Sequence, residues 1–437
     1  MKKTIFLNSF SSLLQQVVTI VIGLILPRLM IGHFGSEING LVGSISQFIS
    51  YITLFEAGIG GVVRAALYKP IAEQDNKAIS AILKAADQYF KRLALFFIIY
   101  IAVLSFLYPM VINQTFHGIY TGSLIIIISL STFSQYFIGI TYSIFLQADA
   151  KNYVINTVQI AMLVLNSIMT VLLISAGASI HQVKMVSTVI YIMRPILLSG
   201  FVSRHYSVSK ECRPDYQSLK QRKNGLAHHI AWFLHTNTDI AVITILGKLS
   251  SVSVYSIYYM IVNSMTMITT AFISGLEAIF GRKLAKSDCK EVKQDFELYC
   301  MVVNTIIIVL FFTAGSMLMP FILLYTAGIT DANYMIPVLG YCLLAAEGVY
   351  CIRIPYHSIV TAAGHFKETQ ISAVIETALN IILSVVLIRQ FELPGIAFAT
   401  FAAMLYRTIF YIYYLSRNIL EINAVKNYIR NFICILM

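Results

Sequence analysis

Charge is what this chain has least of: only 12% of its 437 residues are Asp, Glu, Lys or Arg, against 58% that are hydrophobic. A soluble protein carries roughly twice that charged share, and the mean hydropathy of +0.77 agrees. Lipid must therefore replace much of the water around the fold. Also missing are a hydrophilic stretch long enough for a catalytic domain, a phosphate-cradling glycine-rich loop with its lysine, and a zinc-spaced set of His and Cys. These absences leave no place for a nucleotide-driven pump within this polypeptide, and neither metal nor cofactor is expected; an active site inside a helix bundle stays open. The six cysteines, Cys212, Cys289, Cys300, Cys342, Cys351 and Cys434, show no ligand spacing and read as packing residues or free thiols. A cleavable leader is not expected, because Pro27-Arg28-Leu29 offers no small-residue cleavage pattern and further apolar runs follow.

What is present is a series of long apolar runs. A helix needs about 20 residues to cross the hydrocarbon, and the candidate spans are 5–27, 37–60, 93–113, 120–145, 153–177, 183–203, 226–246, 253–279, 298–320, 334–356, 368–388 and 394–416. The net charge of +11 would by itself suit a nucleic-acid binder, but the Lys and Arg lie between the runs, so no nucleic-acid partner is expected. They also alternate. The stretches 61–92, 146–152, 204–225 and 280–297 hold most of the basic residues, while the intervening ones hold singletons such as Arg28, Lys184, Lys248 and Arg389. Retention of positive loops in the cytoplasm then puts both termini on the cytoplasmic side.

The basic stretch 204–225, with Pro214, sits near the midpoint, and the two sides look alike. Gly60-Gly61-Val62-Val63-Arg64 with Lys69 in the first has a counterpart in Gly275-Leu276-Glu277 through Gly281-Arg282-Lys283 in the second. The fold class expected is an all-α polytopic membrane protein of about twelve transmembrane helices in two parallel six-helix halves around a central cavity. Its domains are 1–203, a basic linker 204–225, 226–416 and a tail 417–437 that reads as an interfacial amphipathic helix or simply as a greasy end.

Function is sought in charges inside the spans, since an ionisable residue there is costly and usually faces the bundle interior or a wet cavity. Glu56, Arg194, His235, Asp239, Glu277, Glu347, Arg353, Glu376 and Arg407 are of this kind, and Arg28 follows Pro27 at the outer end of the first span. Arg28 and Arg64 are close enough to a boundary to snorkel. His235 and Asp239, four apart on one helical face, could titrate or bind a cation, or form a fixed hydrogen-bonded network. Glu56 stands before Gly58, Gly60 and Gly61, which suits either a gate or close helix packing against an interior Arg. Glu347 and Arg353 are six apart, so their partners are expected on other helices. Gln15, Gln16, Asn166, Asn263 and Asn380 add amides within spans, and Pro195 and Pro355 each follow an intramembrane Arg by one or two positions.

Three stretches carry a family resemblance: Asn8-Ser9-Phe10-Ser11-Ser12-Leu13-Leu14-Gln15-Gln16, Gly23-Leu24-Ile25-Leu26-Pro27-Arg28, and Gly35-Ser36-Glu37-Ile38-Asn39-Gly40-Leu41. With Phe55-Glu56-Ala57-Gly58-Ile59-Gly60 and the basic stretch after it, they resemble the start of Wzx-type polysaccharide and O-antigen repeat-unit flippases. Those proteins belong to the multidrug/oligosaccharidyl-lipid/polysaccharide (MOP) superfamily. The resemblance spans the chain in topology, and its sequence signal lies in the first seventy residues. It implies translocation of a polyprenyl-diphosphate-linked oligosaccharide to the outer leaflet of a bacterial inner or plasma membrane by alternating access, with no reaction catalysed. It further implies Arg28, Arg194, Arg353 and Arg407 as diphosphate-binding or cavity-field residues, and Glu56, His235, Asp239 and Glu376 as counter-charges or cation-coupling groups. Expected partners are the lipid-linked glycan and membrane lipids, with polysaccharide polymerases as candidates and the monomer as working unit. The alternative of the same fold is a cation-coupled multidrug exporter; a membrane glycosyltransferase or polymerase would need large external loops, which are lacking.

Overall fold

A computed structural model describes residues 2–56, 59–112, 116–207, 212–216, 226–273, 289–420 and 422. Apolar chain in lipid must satisfy its own backbone, and no strand occurs among the described residues. In chain order the helices are α1 (Lys2–Ser50), α2 (Thr53–Glu56), α3 (Ile59–Glu73), α4 (Asn76–Val111) and α5 (Gly118–Ser134). A π-helical turn at Gln135–Gly139 leads into α6 (Ile140–Ala148), α7 (Asn152–Ser175) and α8 (Ile180–His205). Then come α9 (Leu226–Leu246), α10 (Leu249–Ile273), α11 (Cys289–Tyr325), α12 (Pro337–Ala362) and α13 (Phe366–Asn418).

Local chemistry places several of these ends. Asp75 accepts hydrogen bonds from the Lys77 and Ala78 amides at 3.0 Å and so starts α4; Ser179 and Gln182 form a reciprocal capping box for α8. Pro337 opens α12, where its missing N–H has no cost.

Eight stretches among the described residues are long and apolar enough to cross a membrane. Two of them, Phe6–Glu56 and Lys367–Asn418, have 51 and 52 residues. At 1.5 Å per residue each runs over about 75 Å, more than twice a hydrocarbon core of about 30 Å. Each is bent. The first turns at Gly35 (φ 85°, ψ 167°) and the second at Glu392 (φ 51°, ψ −131°), between the expected spans of each pair. Elsewhere the boundaries differ from expectation. The second span stops at Ser50 and continues only as the short α2, and the expected loop 61–92 is helical, made of α3 and the start of α4.

The chain divides into two compact units, one of Met1–Phe34 with Val42–His229 and the other of Gly35–Leu41 with Ile230–Met437. In the first, α4 packs on α5, α5 on α8, and α7 on α8, with the π-helical turn set against both α4 and α8. Its core holds Phe90, Phe97, Tyr108 and Phe145. In the second, α12 packs against α10, α11 and α13, around Phe296, Phe311, Ile352, Tyr356, Tyr411 and Leu415. Lipid is as apolar as Leu, so close van der Waals fit and interhelical hydrogen bonds hold such helices together. Leu420 and Ile422 join the second core, while residues 423–437, most of the linker 204–225 and the repeat segment 275–288 lie outside the described residues.

Candidate functional site

In the second unit the helices bring a row of ionisable and polar side chains inside. Glu376 and Asn380 are one turn apart on the first arm of α13, and Thr400 and Arg407 two turns apart on its second arm, so each pair shares a face. Glu376, wholly buried, accepts from two guanidiniums: Arg353 Nη1 at 2.6 Å on one oxygen and Arg407 Nη1 on the other. Both arginines are buried, at 4% and 6% exposure. Arg353 lies 5.0 Å from the Tyr350 ring centroid and Arg407 5.5 Å from that of Tyr411. The Arg407 Nε is buried and has no hydrogen-bond partner.

Asp239, on α9, heads a second group. Its Oδ2 accepts from the Tyr255 hydroxyl at 2.5 Å and the Thr400 hydroxyl at 2.9 Å. Asn380 Nδ2 donates to Thr400 Oγ1 at 3.1 Å, the Ile396 carbonyl lies at 3.1 Å from the same hydroxyl, and Asn380 Oδ1 is buried without a hydrogen bond. The Asp239 carboxylate and the Ile396 carbonyl thus meet at the Thr400 hydroxyl, oxygen atoms of the kind that hard cations take as ligands. Glu347 accepts from Thr266 at 2.9 Å and feels the charges of Arg353 and Asp239. No group of three His, Cys, Asp or Glu suited to a metal ion occurs among the described residues.

The first unit has its own ionisable groups. Glu56 accepts from the Tyr136 hydroxyl at 2.8 Å. Tyr136 stands on the π-helical turn, whose Gly139 faces Pro195 so closely that a Cβ would sit 2.5 Å from the proline Cβ. That turn therefore joins the helix of Glu56 to the Arg194-Pro195 step of α8, and such turns recur at functional sites. Arg194 is half-buried, and its buried Nε has no hydrogen-bond partner. Arg28 is half-buried on α1, and Arg64 donates to Gln147 at 3.0 Å.

At the end of this unit expected to face the cytoplasm, Asn8 donates to the Ala150 carbonyl at 2.7 Å and accepts from the Tyr153 amide at 2.9 Å. Asn156 donates to Ser11 and Ser12. The polar residues at the start of the chain thus tie α1 to α7. Beside them Lys151 donates to the Tyr206 hydroxyl at 2.6 Å, and that hydroxyl donates to Asp149. Burial, reinforced by Asp149, pushes the Tyr206 hydroxyl up to about 12. Burial alone would lower the Lys151 ammonium, but its bonds to Tyr206 and Asp149 leave it raised.

Of the residues singled out from sequence, Arg353, Arg407 and Glu376 meet in one cluster and Asp239 lies in the same unit; Arg28, Arg194 and Glu56 belong to the other. Glu277 and the side chain of His235 lie outside the described residues. Asn166 and Asn380 are buried, whereas Gln15, Gln16 and Asn263 are partly exposed. Sequence reasoning passed over Tyr136, Tyr255, Thr266 and Thr400, because an uncharged hydroxyl within an apolar run leaves no mark on hydropathy. The spacing of seven between Thr400 and Arg407 was the available signal.

No protein-family profile matches the chain, and no curated protein matches it. Solved structures do. Lipid II flippase MurJ in an inward closed conformation superposes with a TM-score of 0.71 at 16% identity, over 98% of this chain and 92% of that one. An inward-facing multidrug resistance MATE family transporter of the MOP superfamily gives 0.65 at 14%, over 96% and 95%. A MOP superfamily transporter from Pyrococcus furiosus, described by the reverse polarity of its binding pocket, gives 0.62 at 11%, over 99% and 96%. The chain has the all-helical fold that these membrane transporters share.

Proposed function

We propose that the protein is a flippase that moves polyprenyl-diphosphate-linked oligosaccharide repeat units from the cytoplasmic to the outer leaflet of a bacterial inner membrane by alternating access. Both termini are cytoplasmic, the halves 1–203 and 226–416 are the moving parts, and the substrate leaves chemically unchanged.

The observation that supports this reading is an imbalance of charge at membrane depth. In the first unit Arg28 and Arg194 stand against Glu56, and Arg194 keeps a buried N–H unused. An excess positive charge in lipid calls for an anion, and a diphosphate matches guanidinium donors in geometry as well as sign. Arg353 and Arg407 are engaged by Glu376, so they set the field of the second unit and reach phosphate only when that carboxylate yields. Here, among the described residues inside the spans, Asp239, Glu347 and Glu376 outnumber the two arginines, which calls for a proton or cation. The oxygen atoms of Asp239, Thr400 and Ile396 are its natural seat, and cation entry there would couple transport to an ion gradient. The likeness to MurJ supports a lipid-linked substrate.

The excess carboxylate of the second unit also favours a second reading, export of an organic cation, in line with the MATE likeness. Leaflet-specific detection of the lipid-linked glycan in depleted cells separates the two. Accumulation on the cytoplasmic side, relieved by wild type and not by Arg194→Ala or Arg28→Ala, is the expected result. A glycan distribution that never changes overturns the flippase and leaves drug export. Asp239→Asn, or collapse of proton and sodium gradients, is expected to slow flipping; an unchanged rate removes ion coupling.

A further inference from the structure

The motif Gly35-Ser36-Glu37-Ile38-Asn39-Gly40-Leu41 plays no part in the site above, yet its Gly35, Ser36, Asn39 and Gly40 are accounted for by contacts within the second unit. The first arm of α1 ends at Gly35, whose positive φ is open to glycine. The second arm begins at Ser36 with amide groups that its own helix cannot satisfy. Asp331, in the non-helical segment between α11 and α12, supplies the cap. Its Oδ2 accepts the Ser36 amide at 2.6 Å and its Oδ1 the Ser36 hydroxyl at 2.7 Å.

The donors behind that hydroxyl form a single directed chain. Ser36 Oγ has given its proton to Asp331, so it accepts from the Tyr334 hydroxyl at 2.6 Å. Tyr334 in turn accepts from Ser253 at 3.2 Å, and Ser253 accepts from Asn39 Nδ2 at 2.8 Å. Every proton points toward one carboxylate, an order in which each bond polarises the next. Tyr258 steadies the segment by donating to the Tyr334 carbonyl at 2.7 Å and accepting the Ile336 amide at 3.1 Å. Gly40 lets the arm lie on α10, since a Cβ there would be 1.8 Å from the Leu249 carbonyl oxygen.

Ser36 and Ser253 are wholly buried and Tyr334 nearly so, whereas Asp331 is exposed. Water therefore competes at the one anchor on which the chain of bonds depends. The motif belongs to the second unit, while the helix before and after it belongs to the first. We propose that Asp331 is the positioning residue of a releasable clasp, which fixes the bend of α1 and must open during the transport cycle. The release step rests on the transport reading; the clasp itself does not.

Leu41 is wholly buried, so a Leu41→Cys variant of the full chain in liposomes reacts with a membrane-impermeant maleimide only when the motif comes away. Labelling above the wild-type cysteine background is expected to be slow, and to speed up by about tenfold or more with Asp331→Ala, since a lost charged acceptor leaves buried donors unmet. Asp331→Glu is expected to restore the slow rate in part. Equal labelling with and without Asp331→Ala overturns the clasp. For release, a Ser36→Cys, Asp331→Cys pair oxidised to a disulfide is expected to stop glycan flipping and to resume it on reduction. Full-rate flipping by the oxidised pair overturns the need for opening. A wild type that flips no glycan sinks the transport reading instead, and the maleimide rates still decide the clasp.

Discussion

Glu376 holds two guanidiniums on one carboxylate, with no solvent to take its place. Removing it leaves two buried cations facing each other, so Glu376→Ala is expected to cost about 3–5 kcal/mol, read as a lower unfolding temperature in detergent. Replacing all three residues with apolar ones of similar volume, Arg353→Met, Glu376→Leu and Arg407→Leu, is expected to recover most of that loss, because the desolvation cost goes with the charges. Stability left low in the triple variant would mean that packing around Tyr350 and Tyr411, rather than charge, sets the cost. Sequence reasoning identified Arg353, Arg407 and Glu376 as costly charges. It did not show that they share one bond network, because such partners are chosen by helix rotation and depth.

Among the elements, glycines such as Gly40 and Gly139 decide how closely helices meet. At Gly40 the obstacle to a methyl group is the backbone carbonyl of Leu249, and at Gly139 it is the ring of Pro195, 2.5 Å away. Neither can swing aside as a long side chain can. Gly40→Ala and Gly139→Ala are expected to destabilise by about 1–3 kcal/mol or more, with Gly40 the worse. Gly61, with nothing within 4 Å of an added Cβ, is the control: alanine there is expected to hold or raise stability, since it favours helix by up to about 1 kcal/mol. Thermal unfolding of the three variants checks the order. From sequence alone Gly60 and Gly61 looked like the close-packing pair and Gly139 drew no notice, because hydropathy does not report which helix lies opposite. The bends at Gly35 and Glu392 were legible only as gaps between apolar runs.

For the whole molecule, the alternation of basic stretches gives an expected orientation with both termini cytoplasmic. Asn333→Cys, in an exposed position between α11 and α12, is expected to react with an impermeant maleimide from outside intact cells, and Tyr216→Cys only after permeabilisation. The reverse pattern would overturn the proposed orientation. At this scale the two units differ among the described residues: Arg28 and Arg194 lie with Glu56 in the first, and Asp239, Glu347 and Glu376 with Arg353 and Arg407 in the second.

The apolar runs and the charges that lie within them are determined by the sequence by itself, because hydropathy and charge are local properties and lipid leaves helix as the open choice for an apolar run. Only the tertiary structure decided which charges are spent on one another and which remain: Arg353 and Arg407 on Glu376, Glu56 on Tyr136, Ser36 on Asp331. Ser36 and Asp331 are 295 positions apart. Such contacts depend on how helices are rotated and staggered against neighbours remote in the chain, and hydrogen bonds, short and directional, form only once that packing has set their geometry.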